Sequence, residues 1–234
     1  MTTILGIDEI KLAECVGLWL AEGDNKSNLE ITLTNNCLKI ITYFHFLMKD
    51  LFQDIKPRIY VYRANKDETK KIKLRGIRLR YYNDNRANKD YYIYRIANVK
   101  TVKMWHRLVD DIKSNKHLSK HVLRGFFAGE GNLKEGAHHN RAIRIAQGKS
   151  NSFLESLLRE LNIEYRFSKR ERAYVITSRT NWDKLAKIRI ADLHPDKKVK
   201  FWRIFNEFKE WHYSHNFIRN NILEHLNEPK TSRQ

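Results

Sequence analysis

The chain has 234 residues, 41% hydrophobic and 12% aromatic, enough apolar material for a packed core and too much for a disordered chain. Lysine and arginine number 45 against 27 aspartate and glutamate, and the net charge of +18 points to a polyanionic partner, nucleic acid ahead of a membrane surface. The apolar run Cys15 to Ala21 is far short of the ~20 residues that cross a bilayer, and the N-terminus has no signal-peptide pattern. Cys15 and Cys37 form no Cys-x-x-Cys pair, so a disulfide framework and a zinc ribbon are disfavoured and a reducing interior fits best. The pairs His138/His139 and His212/His215 lack partners at ligand spacing and are read as surface or nucleic-acid-facing residues.

In chain order, Asp8 caps an expected helix from Glu9 to Glu22, with Leu12, Cys15, Val16, Trp19 and Leu20 on its apolar face. Ala13, Gly17 and Ala21 lie four apart on a neighbouring strip, where a second backbone can come close, and Gly23 follows as a stop. Leu29, Ile31 and Leu33 alternate with polar residues, the period of a strand with one buried face. A helix over Leu38 to Phe52 is followed by strands over Arg58 to Arg63, Lys71 to Tyr82 and Tyr91 to Ile96, and then by a helix over Val102 to Lys113.

The pattern then repeats. Ser119 to Glu130 reads as a helix with bulk at Leu123, Phe126 and Phe127 and small residues at Gly125 and Gly129. A strand carrying Ile143 and Ile145 lies within Arg141 to Gln147, and the helix Ser150 to Asn162 has Leu154, Leu157, Leu158 and Leu161 on one face. Strands at Tyr165 to Lys169 and Arg172 to Thr177, a helix at Trp182 to Ile190 and a charged helix at Lys197 to Trp211 complete the pass, with a frayed end from Asn227.

Within Lys71 to Tyr82 the basic residues Lys71, Lys73 and Arg75 alternate with apolar ones, and after Gly76 the phase flips to Arg78 and Arg80. A bulge or tight turn at Gly76 keeps all five on one face. Five like charges on one face repel unless an anion neutralises them, so this stretch is expected to face nucleic acid.

The most informative feature is a duplication. Val16-Gly17-Leu18-Trp19-Leu20-Ala21-Glu22-Gly23 recurs as Arg124-Gly125-Phe126-Phe127-Ala128-Gly129-Glu130-Gly131, 108 positions on (130 − 22). Each copy has two small residues four apart, then Glu-Gly. Both acids lie at helix C-termini, where the macrodipole disfavours negative charge, and two facing carboxylates repel. Such a pair is suited to holding a cation. Mg²⁺ is commonly bound by only one or two carboxylates, with phosphate and water supplying the rest.

These two segments resemble the LAGLIDADG motif of homing endonucleases, in the two-motif, single-chain branch of that family. Glu stands in both copies where the family name spells Asp, which keeps the carboxylate; Arg124 and the Ala128/Gly129 pair also depart from the consensus. The resemblance covers nearly the whole chain and implies an α+β fold of two pseudo-symmetric αββαββα halves, 1–116 and 117–234, the second with a C-terminal helical extension. The motif helices pack at the centre, through Gly17, Ala21, Gly125 and Gly129, and two antiparallel sheets form a saddle over DNA.

The activity implied is site-specific, metal-dependent double-strand cleavage of a long, weakly palindromic target, with an intron RNA maturase as the alternative. Glu22 and Glu130 are then the catalytic and metal-holding acids, together with the adjoining Ala21 and Gly129. The cofactor is Mg²⁺, as two or three divalent ions, for which Mn²⁺ substitutes. Family members often carry a lysine shortly after a glutamine at the end of the strand following the motif. Gln147-Gly148-Lys149 fills that place, while the first half has Asn35-Asn36. Lys149 is therefore the candidate for activating water or stabilising phosphate charge, with Lys26 and Lys134 as alternatives. DNA contacts are assigned to Lys26, Lys71, Lys73, Arg75, Arg78, Arg80, Lys134, Arg141, Arg144, Gln147, Arg166 and Arg170. The expected partner is double-stranded DNA, or intron RNA in the alternative, bound by a monomer away from membranes, in cytoplasm or nucleoid for a prokaryotic host and in an organelle otherwise.

Overall fold

A computed structural model describes residues 8–64, 72, 74, 77–136 and 141–207. The first pass of the chain builds α1 (Glu9–Glu22), β1 (Glu30–Asn35), α2 (Leu38–Leu51), β2 (Arg58–Arg63), β3 (Arg78–Asn83), β4 (Tyr91–Ala97) and α3 (Val99–Ser114). A short 3-10 turn, Lys116–Leu118, leads into the second pass: α4 (Ser119–Glu130), β5 (Gly131–Lys134), β6 (Ala142–Ala146), α5 (Ser152–Glu160), β7 (Arg166–Ser168), β8 (Ala173–Ile176) and α6 (Arg179–Lys187). Residues 195–207 are again helical.

Side-chain caps fix most helix starts. Asp8 Oδ1 accepts from the Ile10 and Lys11 amides at 2.9 and 3.3 Å, which satisfies two of the four orphan donors at the head of α1. Asn98 takes the Thr101 amide at 3.0 Å and Ser178 the Asn181 amide at 3.3 Å. These two caps start α3 and α6 three residues before the expected Val102 and Trp182. The sixth helix also stops early, at Lys187, because Arg189 turns left-handed at φ 55°.

The strands form two four-stranded sheets, ordered β1-β4-β2-β3 and β5-β6-β8-β7. The β1/β4/β2 core of the first matches β6/β8/β7 of the second. The counterpart of β5 shrinks in the first sheet to a single bridge between Gly23 and Leu33, because residues 24–28 turn at once: Asp24 accepts from the Lys26 amide and Ser27 Oγ from the Leu29 and Glu30 amides. Leu29, expected inside, is therefore 68% exposed.

One expectation for this sheet needs correction. The third strand begins at Arg78, and it pairs parallel to β2, so the sheet is not wholly antiparallel. The connection from Arg63 to Arg78 is long enough to bring the chain back to the same end, as parallel pairing requires. Lys71, Lys73, Arg75 and Gly76 lie outside the described residues, as do His138, His139, His212, His215 and the C-terminal segment from residue 208.

The first motif helix is not the one-faced helix its sequence suggests. Every residue from Leu12 to Trp19 is buried, which is the signature of a central helix. Two cores flank the motif pair. One gathers Trp19, Phe44, Tyr94 and Trp105, whose rings meet edge to face; the other gathers Phe126, Phe127, Tyr174, Trp182 and Phe201. The second motif helix serves both: Val122 and Ala128 enter the first core, Leu123, Phe126 and Phe127 the second.

Candidate active site

The site begins with two glycines. A Cβ on Gly17 would lie 1.9 Å from the Val122 carbonyl oxygen, and one on Gly125 would lie 1.8 Å from the Glu14 carbonyl oxygen. The backbones of α1 and α4 therefore touch, an approach that only hydrogen at both crossing positions permits. The crossing is locked by a buried charge cluster. Glu14, 4% exposed, pairs with Arg124 Nη1 at 2.9 Å and accepts from Tyr43 OH at 2.5 Å. Burial raises the Glu14 pKa, and the Tyr43 hydrogen bond and the Arg124 charge hold it down. Arg124, a departure from the motif, is thus the partner that makes a charge inside α1 tolerable.

Beyond the crossing, the helix ends converge. A Cβ on Gly129 would fall 2.6 Å from Glu22 Cγ and 2.9 Å from Ala21 Cβ, so the stem of Glu22 lies across Gly129, the residue before Glu130. Each acid then leads directly into a sheet, through the Gly23–Leu33 bridge on one side and β5 on the other. Burial, and after it the charge of Glu130, pushes Glu22 up to about 7; Lys197 and a hydrogen bond from Asn35 act against this. Glu130 is raised by burial and opposed by Lys197. The two carboxylates repel one another, and both are held above the ordinary carboxylate range. Asn35 Nδ2 donates to Glu22 Oε1 at 3.4 Å, while its Oδ1 accepts the Cys37 amide at 2.8 Å, which orients the amide.

Lys197 is the residue that sequence reasoning missed. Its Nζ donates to the carbonyls of Phe127, Ala128 and Gly129 at 3.1, 2.7 and 2.6 Å, capping the last turn of α4. Burial lowers its pKa to about 8, against the pull of Glu22 and Glu130, so it is an ammonium at neutral pH. In the sequence Asp196-Lys197-Lys198 looks like any solvated turn, and no local pattern separates Lys197 from its neighbours. Asn35 had a signal, since it occupies the first-half position matching Gln147.

The donor set suits a hard cation. Glu22 and Glu130 offer carboxylate oxygens, and Ala21 and Gly129 can contribute only backbone carbonyls. Among the described residues there is no cluster of three or more His, Cys, Asp or Glu able to hold a metal alone. Two carboxylates with phosphate and water completing the shell is the sparse arrangement that Mg²⁺ accepts. The fit is better on the α1 side, because the Gly129 carbonyl already accepts from Lys197.

The remaining residues assigned from sequence are spread over the two sheets and their loops. On the face of the first sheet opposite the core, in-register pairing aligns Arg58, Arg78 and Arg95, with Arg80 beside Tyr60. Arg78 and Arg80 are exposed. Tyr62 stacks on Tyr91 at 4.7 Å and on Tyr82 at 5.2 Å on that same face. The second sheet's outward face aligns Asn132, Arg144, Val175 and Arg166, with Lys134 beside Ala142 and no aromatic ring in either row. Arg166, Arg170, Lys134 and Lys26 are exposed.

Three assigned residues are engaged within the chain. Arg141 pairs with Glu207 and Arg144 with Glu171, both at 2.9 Å, and Gln147 Oε1 accepts from Asn151 at 3.2 Å. Lys149 is exposed in the loop after β6, and the lysine acting on both acids is Lys197.

No family model matches the sequence, and no curated protein matches it. Solved structures do match by shape. Mesophilic variants of the homing endonuclease I-DmoI share 16% identity over 83% of this chain and 94% of theirs, with a TM-score of 0.50. I-DmoI in complex with DNA and Ca gives the same identity and coverage with a TM-score of 0.49. Full-length DUF199/WhiA from Thermatoga maritima is 18% identical over 96% of this chain and 72% of its own, with a TM-score of 0.51. With duplicated helices that cross glycine on glycine, each ending at an acid that leads into a four-stranded sheet, this chain has the LAGLIDADG fold seen in I-DmoI.

Proposed function

We propose that the protein is a metal-dependent, site-specific endonuclease that cuts both strands of duplex DNA. The observation that carries this reading is the convergence of Glu22 and Glu130 at the ends of crossing helices, each one step from a sheet with arginines on its outward face. Mg²⁺ or Mn²⁺, bound with the substrate phosphates, would supply Lewis-acid stabilisation and a hydroxide-like nucleophile. The chain's own part is to fix the acids. The glycine crossing sets their separation, Asn35 orients Glu22, and half-burial keeps competing water away. A divalent cation held between the two carboxylates would offset their mutual repulsion and bring down the raised pKa of Glu22.

Arg78, Arg80, Lys134 and Arg166, exposed on the two sheets, would neutralise backbone phosphates and read base edges. Lys26 and Lys149, in loops beyond the sheets, serve as further phosphate contacts, and Lys149 is the one proposed to stabilise charge at the scissile group. We assign the protein to the monomeric form with DNA in the cytoplasm, nucleoid or an organelle. One observation favours a second reading: the Tyr82-Tyr62-Tyr91 stack on the first sheet's open face is a platform of the kind that receives unpaired bases, which suits intron RNA.

The test is incubation of the purified chain with a pool of duplexes that includes intron-insertion junctions, with and without Mg²⁺, and capture of new ends. Paired ends from one sequence, dependent on the ion and lost in both Glu22→Gln and Glu130→Gln, are expected. Ends that persist in either variant refute the assignment of the acids, and tight RNA binding without any ends moves the function to the second reading.

A further inference from the structure

We propose, building on the nuclease reading, that Lys197 is a built-in cation of the acid centre: its ammonium fills the α4 side, leaving one divalent-ion site, on the Glu22 side. The geometry is specific. An ammonium has three donors, and Lys197 Nζ spends all three on the Phe127, Ala128 and Gly129 carbonyls. Those oxygens lie in the last turn of α4, at the negative end of its dipole; the Phe127 carbonyl also accepts from the Gly131 amide, while those of Ala128 and Gly129 are among the four that a helix leaves without amide partners. The cation therefore occupies a place where the helix terminus, Glu22 and Glu130 all attract positive charge.

A second cation drawn to the Gly129 carbonyl would meet the first within contact distance. The ammonium also lies over the Phe127 ring, 5.8 Å from its centroid, a cation–π contact. No ion pair joins Lys197 to either acid among the described residues, so apart from the Asn35 hydrogen bond to Glu22 Oε1 the carboxylate oxygens are left to other ligands.

The first half has no equivalent. After α3 the chain passes in one 3-10 turn into α4, whereas after α6 it continues to the helix at 195–207, whose first turn carries Lys197. Among the described residues no lysine makes the matching contact at the end of α1. The Gly23 amide donates to the Trp19 carbonyl at 2.7 Å, as the Gly131 amide does to Phe127 in α4, but the side-chain donor on the α1 side is Asn35, which is neutral and bonds to Glu22. Both acids feel the Lys197 charge, but only at the end of α4 are the terminal carbonyls taken by an ammonium, so the two acids related by the duplication stand at unequal helix ends. The expected consequence is unequal service of the two scissile phosphates, with one strand cut well before the other.

The test counts Mn²⁺, the probe ion, on the full-length chain by electron paramagnetic resonance of free Mn²⁺, for the wild type, Glu22→Gln, Glu130→Gln, Lys197→Met and Lys197→Arg. The wild type is expected to bind one ion lost in Glu22→Gln. The variant Lys197→Met should take up a second ion that is lost when Glu130→Gln is added, and Lys197→Arg, which keeps the charge, should stay at one. Strand-resolved digestion should show nicked DNA accumulating with the wild type and at least threefold less of it with Lys197→Met. Two acid-dependent ions on the wild type overturn the role of Lys197 and leave the nuclease reading standing. A folded Lys197→Met that still binds one ion does the same. No acid-dependent ion on any protein, with no cleavage, overturns the nuclease reading and this inference with it. If Lys197→Met does not fold, the wild-type count decides: one ion supports the inference and two refute it.

Discussion

Replacing Gly125 by alanine puts a methyl carbon 1.8 Å from the Glu14 carbonyl oxygen and 2.8 Å from the Leu18 amide nitrogen, both backbone atoms of α1 that no rotamer change can move. Ordinary contact begins at 3.4 Å, so the two helices must part by about 1.5 Å at their closest point. A gap of even ~1 Å forfeits up to about half of each dispersion contact it opens, and the parting also stretches the Arg124–Glu14 bridge. Against this, alanine gains ~1 kcal/mol of helix propensity over glycine. Overpacking costs about 1–3 kcal/mol, and more where backbone must shift, so a net loss of ~2–3 kcal/mol is expected. In a chain of this length that lowers Tm by roughly 5–10 °C. The acids at the far end of the crossing move with the helices, and a displacement near 1 Å costs on the order of 100-fold in rate. Gly148→Ala is the internal control: its Cβ would meet only the flexible Nη2 of Arg172, at 3.2 Å, and stability should stay within ~0.5 kcal/mol. Thermal melts and urea titrations of both variants decide the matter. Equal Tm values for Gly125→Ala and Gly148→Ala would refute the close crossing, and with it the argument that glycine sets the separation of the acids.

Three further outcomes are expected. Glu22 sits at about 7 in the fold against an ordinary 4.5, so between those values the folded protein holds a proton that the unfolded chain has lost. Stability of the metal-free protein should accordingly fall as pH rises from about 4.5 to 7, by at most ~3 kcal/mol, and urea titrations of Glu22→Gln should lose that slope; an identical slope in the variant sinks the claim. Removing Arg78 and Arg80 together should weaken duplex binding and reduce the salt-dependence slope by ~1.8, at ~0.9 per lost phosphate contact. A slope equal to wild type would move the DNA surface off the first sheet. Lys149→Met should slow cleavage more than it weakens binding, measured by single-turnover rates beside equilibrium binding; equal losses reduce Lys149 to a phosphate contact.

The fold was legible in the sequence wherever chemistry is local. Asp8, Gly17, Gly125 and the alternation through Ile31 and Leu33 each act within a turn or a strand, and the duplication multiplied their weight. What failed to show was decided by residues far apart in the chain. The burial of α1 on all sides depends on α4 covering its second face, and Glu14 is tolerable there only because Arg124, 110 positions on (124 − 14), meets it. Neither sequence segment carries a mark of the other. The parallel pairing of β3 was hidden for a related reason, since strand periodicity fixes which face is buried and says nothing of direction.

The centre illustrates the limit most sharply, because duplication argues for symmetry and the structure departs from it. The repeated Glu-Gly steps predict two equal acids, and equal acids at two helix ends should repel and strain the fold. Both acids are raised by burial, and Lys197, arriving from a helix outside the repeat, acts on both while its ammonium caps the last turn of α4 alone. A repeat can thus preserve the acids while an unrepeated segment changes the field around them and caps only one of the two helix ends. The electrostatics of a duplicated site therefore have to be read from the elements added around the repeat, since the repeat itself determines only where the carboxylates stand.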